Sequence, residues 1–176
     1  MTQEQAQPTI YTTATDVDHF ISPPKRRVGS LTLITNSAGA VLMCEKDPDP
    51  ELRKPWYHPG GCVESNESRH AGLVRTARAK LGITVTPGPL LVIHQMFEEP
   101  HETHVSLEGL NFVYDGGTLP ADTKFTFGAG VIGVRWFMPD ELEEYLAPFT
   151  AWRTRAALRA RETGKVEELE GHPAVA

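Results

Sequence analysis

The sequence predicts a fold that mixes strands and helices, either α+β or layered α/β. Short β-rich apolar runs recur between residues 28 and 137. Helical periodicity appears once in mid-chain, over 69–81, and again near the end, over 139–146 and 149–163. At 176 residues the chain fits one domain, long enough to bury a core without disulfides or metal staples.

Residues 1–27 are polar, hold Pro23 and Pro24, and end in Lys25, Arg26 and Arg27; they read as an extended arm ahead of a domain over 28–170. Runs 28–34 and 41–44, joined by a turn at 36–39, make a hairpin. Prolines and charges make 46–55 a loop. Residues 56–58 and 61–64 flank the turn Pro59-Gly60-Gly61, where adjacent glycines let the backbone take positive φ and approach a ligand closely.

Over 69–81, Ala71, Val74, Ala77 and Leu81 recur at helical spacing and predict the buried stripe. Gly72, Arg75, Thr76, Ala79 and Lys80 then fall on the exposed face. Asn66 or Ser68 serves as N-cap and Gly82 as stop. Runs 90–97, 110–114 and 131–137 are further strands. Between them lie a His/Glu-rich loop (98–108) and a Gly/Pro/Asp segment (115–130), with Asp115-Gly116-Gly117 as a strand-ending turn. Gly164 ends the last helix. The acidic stretch 165–176 predicts a frayed end, with 171–176 as a tail.

The composition, 40% hydrophobic and 23% charged, is that of a globular protein. A net charge of −6 argues against nucleic-acid partners, which require a positive field. Cys44 and Cys62 are expected as buried thiols, which suits a reducing compartment. No apolar run is long enough for a membrane span, and the N-terminus lacks a secretion-signal pattern. A cytoplasmic location is the expectation.

Residues 59–83, PGGCVESNESRHAGLVRTARAKLGI, resemble the Nudix box, G-x₅-E-x₇-R-E-U-x-E-E-x-G-U with U aliphatic. Gly61 is the leading glycine, Glu67 the first acid, Arg75 the arginine, and Gly82 and Ile83 the closing pair. Thr76, Ala79 and Lys80 stand where the pattern has three further glutamates. NFVYDGG (111–117), VRWFMPDEL (134–142) and RTRAALRARETGK (153–165) resemble downstream segments of small actinobacterial members of that family, so the likeness covers about 28–170. It implies an α/β/α sandwich with a mixed sheet. It also implies a nucleoside-diphosphate-linked or other diphosphate-containing small-molecule ligand, Mg²⁺ or Mn²⁺ if hydrolysis persists, and, as among relatives, a homodimer.

In the family those glutamates hold Mg²⁺ against a diphosphate. Mg²⁺ wants about six oxygens at ~2.1 Å, and it neutralises developing charge and orients the attacking water. Alanine ligates nothing. A lysine ammonium at ~4 Å from a divalent ion is repelled by on the order of 8 kcal/mol before relaxation, at an effective dielectric of ~20. Ordinary Mg²⁺-dependent pyrophosphohydrolysis is therefore expected to be lost or strongly reduced.

The acids left for catalysis or weak metal binding are Glu64 and Glu67. His58, beside the glycine turn, is the histidine best placed for acid/base work. Gly60, Gly61, Arg75 and Lys80 are the expected substrate contacts. Arg75 has an alternative partner in Glu67 or Glu64, and Lys80 is either a plain helix lysine or an ammonium that binds the diphosphate directly. His94, Glu98, Glu99, His101, Glu102 and His104 form either a solvated loop or a site for Zn²⁺, Mn²⁺ or Fe²⁺. Trp56, Tyr57, Phe97 and Tyr114 either stack on a ligand ring or fill the core. Arg153, Arg155, Arg159 and Arg161 mark a solvated helix face, with a dimer face or anion contact as the alternative. Three functions remain open: a Nudix hydrolase of altered chemistry, a non-catalytic ligand-binding or regulatory protein, and a metal-independent biosynthetic enzyme that uses pocket histidines.

Overall fold

A computed structural model describes residues 25–46, 54–100, 105–128 and 130–173. The described strands are β1 (Arg27–Thr35), β2 (Val41–Lys46), β3 (Trp56–Tyr57), β4 (Gly60–Cys62), β5 (Leu90–Met96), β6 (Glu99–Pro100), β7 (Val105–Ser106), β8 (Gly109–Thr118), β9 (Val131–Phe137) and β10 (Glu167–Glu170). The helices are α1 (Arg69–Leu81), α2 (Leu142–Tyr145), entered through a 3₁₀ turn at Pro139–Glu141, and α3 (Pro148–Thr163).

An eight-stranded mixed sheet runs β10-β5-β8-β1-β2-β3, with β4 on β1 and β9 on β2. β1 runs parallel to β8, and β10 parallel to β5. The remaining pairs are antiparallel. Strand alternation sorts the core onto two faces. Leu33, Met43, Val92, Val113 and Phe137 pack beneath α3 with Ala156, Ala157 and Ala160. Ile34, Leu42, Phe112 and Tyr114 pack beneath α1 with Leu73, Ala77 and Leu81. The result is an α/β/α sandwich, as the family resemblance implies.

Ser68 caps α1, its Oγ accepting the Ala71 N–H at 3.1 Å. Gly82 ends the helix at φ 67°, a left-handed conformation suited to glycine, with its N–H on the Arg78 carbonyl. The buried face departs from the expected stripe. Gly72, Leu73, Thr76, Ala77 and Leu81 are inside, whereas Ala71 is exposed and Val74 half-buried. Leu73, Ala77 and Leu81, four residues apart, carry the contact. Thr76 can be buried because its hydroxyl donates to the Gly72 carbonyl at 2.7 Å.

Other expectations need correction. Cys44 is buried but Cys62 is exposed on β4. β8 runs through Asp115-Gly116-Gly117 to Thr118 instead of turning there. The acidic end does not fray throughout, since Glu167–Glu170 add a parallel strand beside β5. Glu99–Pro100 and Val105–Ser106 pair as two short antiparallel strands inside the expected His/Glu loop. Most of the expected arm, and most of loop 46–55, lies outside the described residues. Arg26, at the arm's end, pairs with Glu108 at 2.7 Å.

Candidate functional site

The turn into β4 brings a strand against the side of α1. Gly60 has φ 134°, and a Cβ there would run into the Ser30 carbonyl and the Leu31 backbone, so only glycine fits. A Cβ on Gly61 would lie 2.9 Å from Thr76 Cγ2 and 3.2 Å from Lys80 Nζ. Gly61 is therefore the point of close approach between strand and helix. Lys80 Nζ donates to the Gly60 carbonyl at 3.0 Å. Gly60, Gly61, Thr76 and Lys80 form one cluster.

Glu64, Glu67 and Arg75 form a second cluster at the loop. Arg75 Nε and Nη2 grip the two Glu67 oxygens at 2.7 Å each, and Nη2 also donates to the Cys62 carbonyl at 3.0 Å. Arg75 Nη1 lies 3.3 Å from Glu64 Oε1. Glu67 Oε2 further accepts the Glu64 N–H at 2.9 Å. The arginine fork and that backbone donor pull the Glu67 carboxyl down to about 2. Glu67 and Arg75 are thus spent on each other, stitching the loop to the helix. Glu64 is the acid left open, its side chain 71% exposed.

His58 does not join these clusters. It is buried, and its Nε2 lies 3.2 Å from Thr154 Oγ1 on α3, beneath the opposite face of the sheet. Burial, then the charge of Arg153, pushes its pKa down to about 3. His94 is also internal. Its Nε2 donates to the Gly171 carbonyl at 2.7 Å and its Nδ1 accepts from Arg153 Nε at 3.0 Å, which assigns the neutral Nε2–H tautomer. Burial and Arg153 hold its pKa near 4. Glu98 and Glu99 are exposed, and His101, Glu102 and His104 lie outside the described residues. Among the described residues no group of metal-ligating side chains is large enough to hold an ion.

The aromatic residues divide. Trp56 packs edge-on to Phe137 at 5.0 Å, and buried Tyr114 meets His70 at 4.7 Å. Phe97 is exposed. On α3 three of the expected solvated arginines are paired, Arg155 with Glu143, Arg159 with Glu167 and Arg161 with Asp115. Arg153 instead points inward and is 4% exposed. Sequence reasoning missed this. The available signal was its spacing from Thr150, Ala156, Ala157 and Ala160, the inward residues of α3. In front of α1, Glu67, Val74, Arg75, Arg78 and Ala79 line an open hollow of about 760 Å³.

A family model described as the NUDIX domain matches residues 25–159. Over 57 residues the chain is 35% identical to the CTP pyrophosphohydrolase of Escherichia coli K12; that stretch is 32% of this chain and 42% of the relative. Among solved structures, a MutT protein from Methanosarcina mazei Go1 superposes with a TM-score of 0.59 at 22% identity, covering 81% of this chain and 97% of the other. A NUDIX hydrolase from Nitrosomonas europaea gives 0.60 at 20% identity, with 81% and 93% covered. At these identities the superpositions speak to the fold. No helix among the described residues is long and apolar enough to cross a membrane.

Proposed function

The chain belongs to the Nudix family, and on that premise we propose that it binds a small diphosphate-containing molecule, of the nucleoside-diphosphate-linked kind, with a protein ammonium in place of the usual divalent cation. The observation that carries this reading is the 3.0 Å contact of Lys80 Nζ with the Gly60 carbonyl, beside the close approach at Gly61. A lysine held there presents a fixed positive charge to a diphosphate. The donor set does not fit Mg²⁺. Thr76 turns its hydroxyl to its own helix, Ala79 has no ligand atom, and both Glu67 oxygens are held by Arg75. Glu64 alone gives a hard dication too few oxygens. Ordinary Mg²⁺-dependent hydrolysis is accordingly lost or strongly reduced in this reading, and ligand binding without rapid turnover is the activity it assigns.

Histidine-based chemistry draws no support from the geometry. His58 and His94 are buried and held neutral on the far side of the sheet from Gly60 and Lys80.

The test is a screen of dinucleotide polyphosphates, nucleotide sugars, ADP-ribose and nucleoside triphosphates with Mg²⁺ or Mn²⁺, against an EDTA control. The expected result is thermal stabilisation by a diphosphate compound that survives EDTA and is lost in Lys80→Met. Fast turnover abolished by EDTA and by Glu67→Gln would reject the reading.

A further inference from the structure

Among the described residues Arg153 is a buried cation without a counter-charge. It projects from α3 onto the sheet face opposite α1. Its Nε is spent on the neutral ring of His94 at 3.0 Å, and its Nη2 reaches only the Met96 sulfur at 3.5 Å. Among the described residues no carboxylate pairs with it. Burial lowers its pKa to about 10, and the one charge that acts on it, Arg27, pushes in the same direction. A buried charge left unpaired is strongly unfavourable, so a fold that places one there calls for a partner. His58 and His94 supply none, because both are held neutral.

Further polar groups on this face are unsatisfied. Among the described residues Thr150 Oγ1, one turn before Thr154 and 0% exposed, has no partner, and neither has Nδ1 of His58, 4% exposed. Thr150, Arg153 and Thr154 are all buried on one side of α3, and Thr154 Oγ1 contacts His58. The strand register sets His94 beside Asn111 and Asn111 beside Gly29. Gly29 has no side chain, and the Asn111 amide lies over it. In the same way Arg27 crosses Gly109, its Cζ 3.3 Å from where a Cβ would stand, and it is exposed at the edge of the cluster. The cluster therefore holds two guanidinium groups, an amide, two hydroxyls and two neutral imidazoles, and none of these side chains is acidic.

We propose that this cluster is an anion-accepting site separate from the Lys80 site, in which the free edge of Arg153 receives a small oxyanion, a carboxylate or phosphate group, with Thr150 and His58 as further contacts and Arg27 at its mouth. Among the described residues Nη1 and Nη2 meet no oxygen, and this edge matches two oxygens of such a group. The His58 ring can rotate its proton assignment to serve. The Thr154 hydroxyl donates to the Thr150 carbonyl at 2.7 Å; when it turns from there to His58 Nε2, the ring proton moves to Nδ1, and Nδ1–H becomes a donor toward the anion. The inference goes beyond the diphosphate reading and does not require it.

The experiment follows thermal unfolding of the full chain during titration with inorganic phosphate or malonate, at ionic strength matched with sodium chloride. The wild type is expected to gain about 3–6 °C at tenfold excess over Kd with at least one of the two anions. Phosphate alone would assign a phosphate-bearing ligand, malonate alone a carboxylate-bearing one. Arg153→Met should lose the response while staying folded, and Lys80→Met should keep it. Thr150→Val, which leaves the guanidinium in place, should weaken the response, and serves if Arg153→Met does not fold. No saturable shift with either anion in the wild type would overturn the inference. So would a response that persists in Arg153→Met, or one that vanishes in Lys80→Met and so belongs to the other face.

Discussion

The two ends of α1 contrast sharply. On the side facing the preceding loop, Arg75 from mid-helix clamps Glu67, which lies just before the N-cap, and ties that loop to the helix. Toward its end, Thr76 bonds back to its own helix and Lys80 reaches the Gly60 carbonyl. Both ends hold the strand and loop in place, yet only the first uses an acid. In this motif the residues that shape the backbone and those that suit a divalent ion are separable. An arginine–glutamate pair and glycines at the close approach maintain the geometry without a full set of acidic side chains.

Gly60→Ala should have the largest effect, because it breaks the scaffold that both ends share. Its φ of 134° and the backbone of Ser30 and Leu31 leave no room for a methyl group. A loss of about 3 kcal/mol is expected from urea unfolding; a loss below half of that would mean the turn can relax. Next comes the C-terminal end alone. Thr76→Glu, Ala79→Glu and Lys80→Glu combined should introduce Mg²⁺ binding detectable by calorimetry, and silence there would mean that the helix is not poised for a metal.

At the other end, Glu67→Gln should lower Tm at neutral pH. The folded carboxyl sits at about 2 against an ordinary 4.5, so its contribution is present above 4.5 and fades as pH falls toward 2. The gap between wild type and variant should close over that window, and a constant gap would assign the effect to shape instead of charge. At neutral pH the smallest effect belongs to the far face, where His58 is uncharged whether folded or unfolded. His58 titrates near 3 when folded against 6.5 unfolded, so the unfolded chain binds the proton first and stability falls as pH drops from 6.5 toward 3. His94 acts in the same sense. His58→Asn should therefore flatten part of the acid slope of Tm, and an unchanged slope would deny the burial effect at His58.

Much of the fold was legible in the chain. The helix over 69–81 and the strand over 131–137 have the bounds the pattern predicts, because caps and periodicity are local signals. The choice of face on α1 was not legible. Its apolar content is weak, and a wheel cannot tell that Thr76 satisfies its hydroxyl on Gly72 and so tolerates burial. His58, expected beside the ligand, faces α3 because a residue one step from a turn projects to whichever side the strand's pleat dictates. Arg153 looked like its neighbours Arg155, Arg159 and Arg161; a helical rotation of 200° from Arg153 to Arg155 separates an internal cation from a surface ion pair.

The family resemblance, and through it the layer order, follow from the order of residues, since the motif that carries them is a matter of short-range spacing. Which groups meet depends on long-range packing. Lys80 reaches Gly60, Glu67 closes on Arg75, and Arg153 enters the interior, because sheet register and helix rotation set those distances together, and no local stretch of chain encodes them alone.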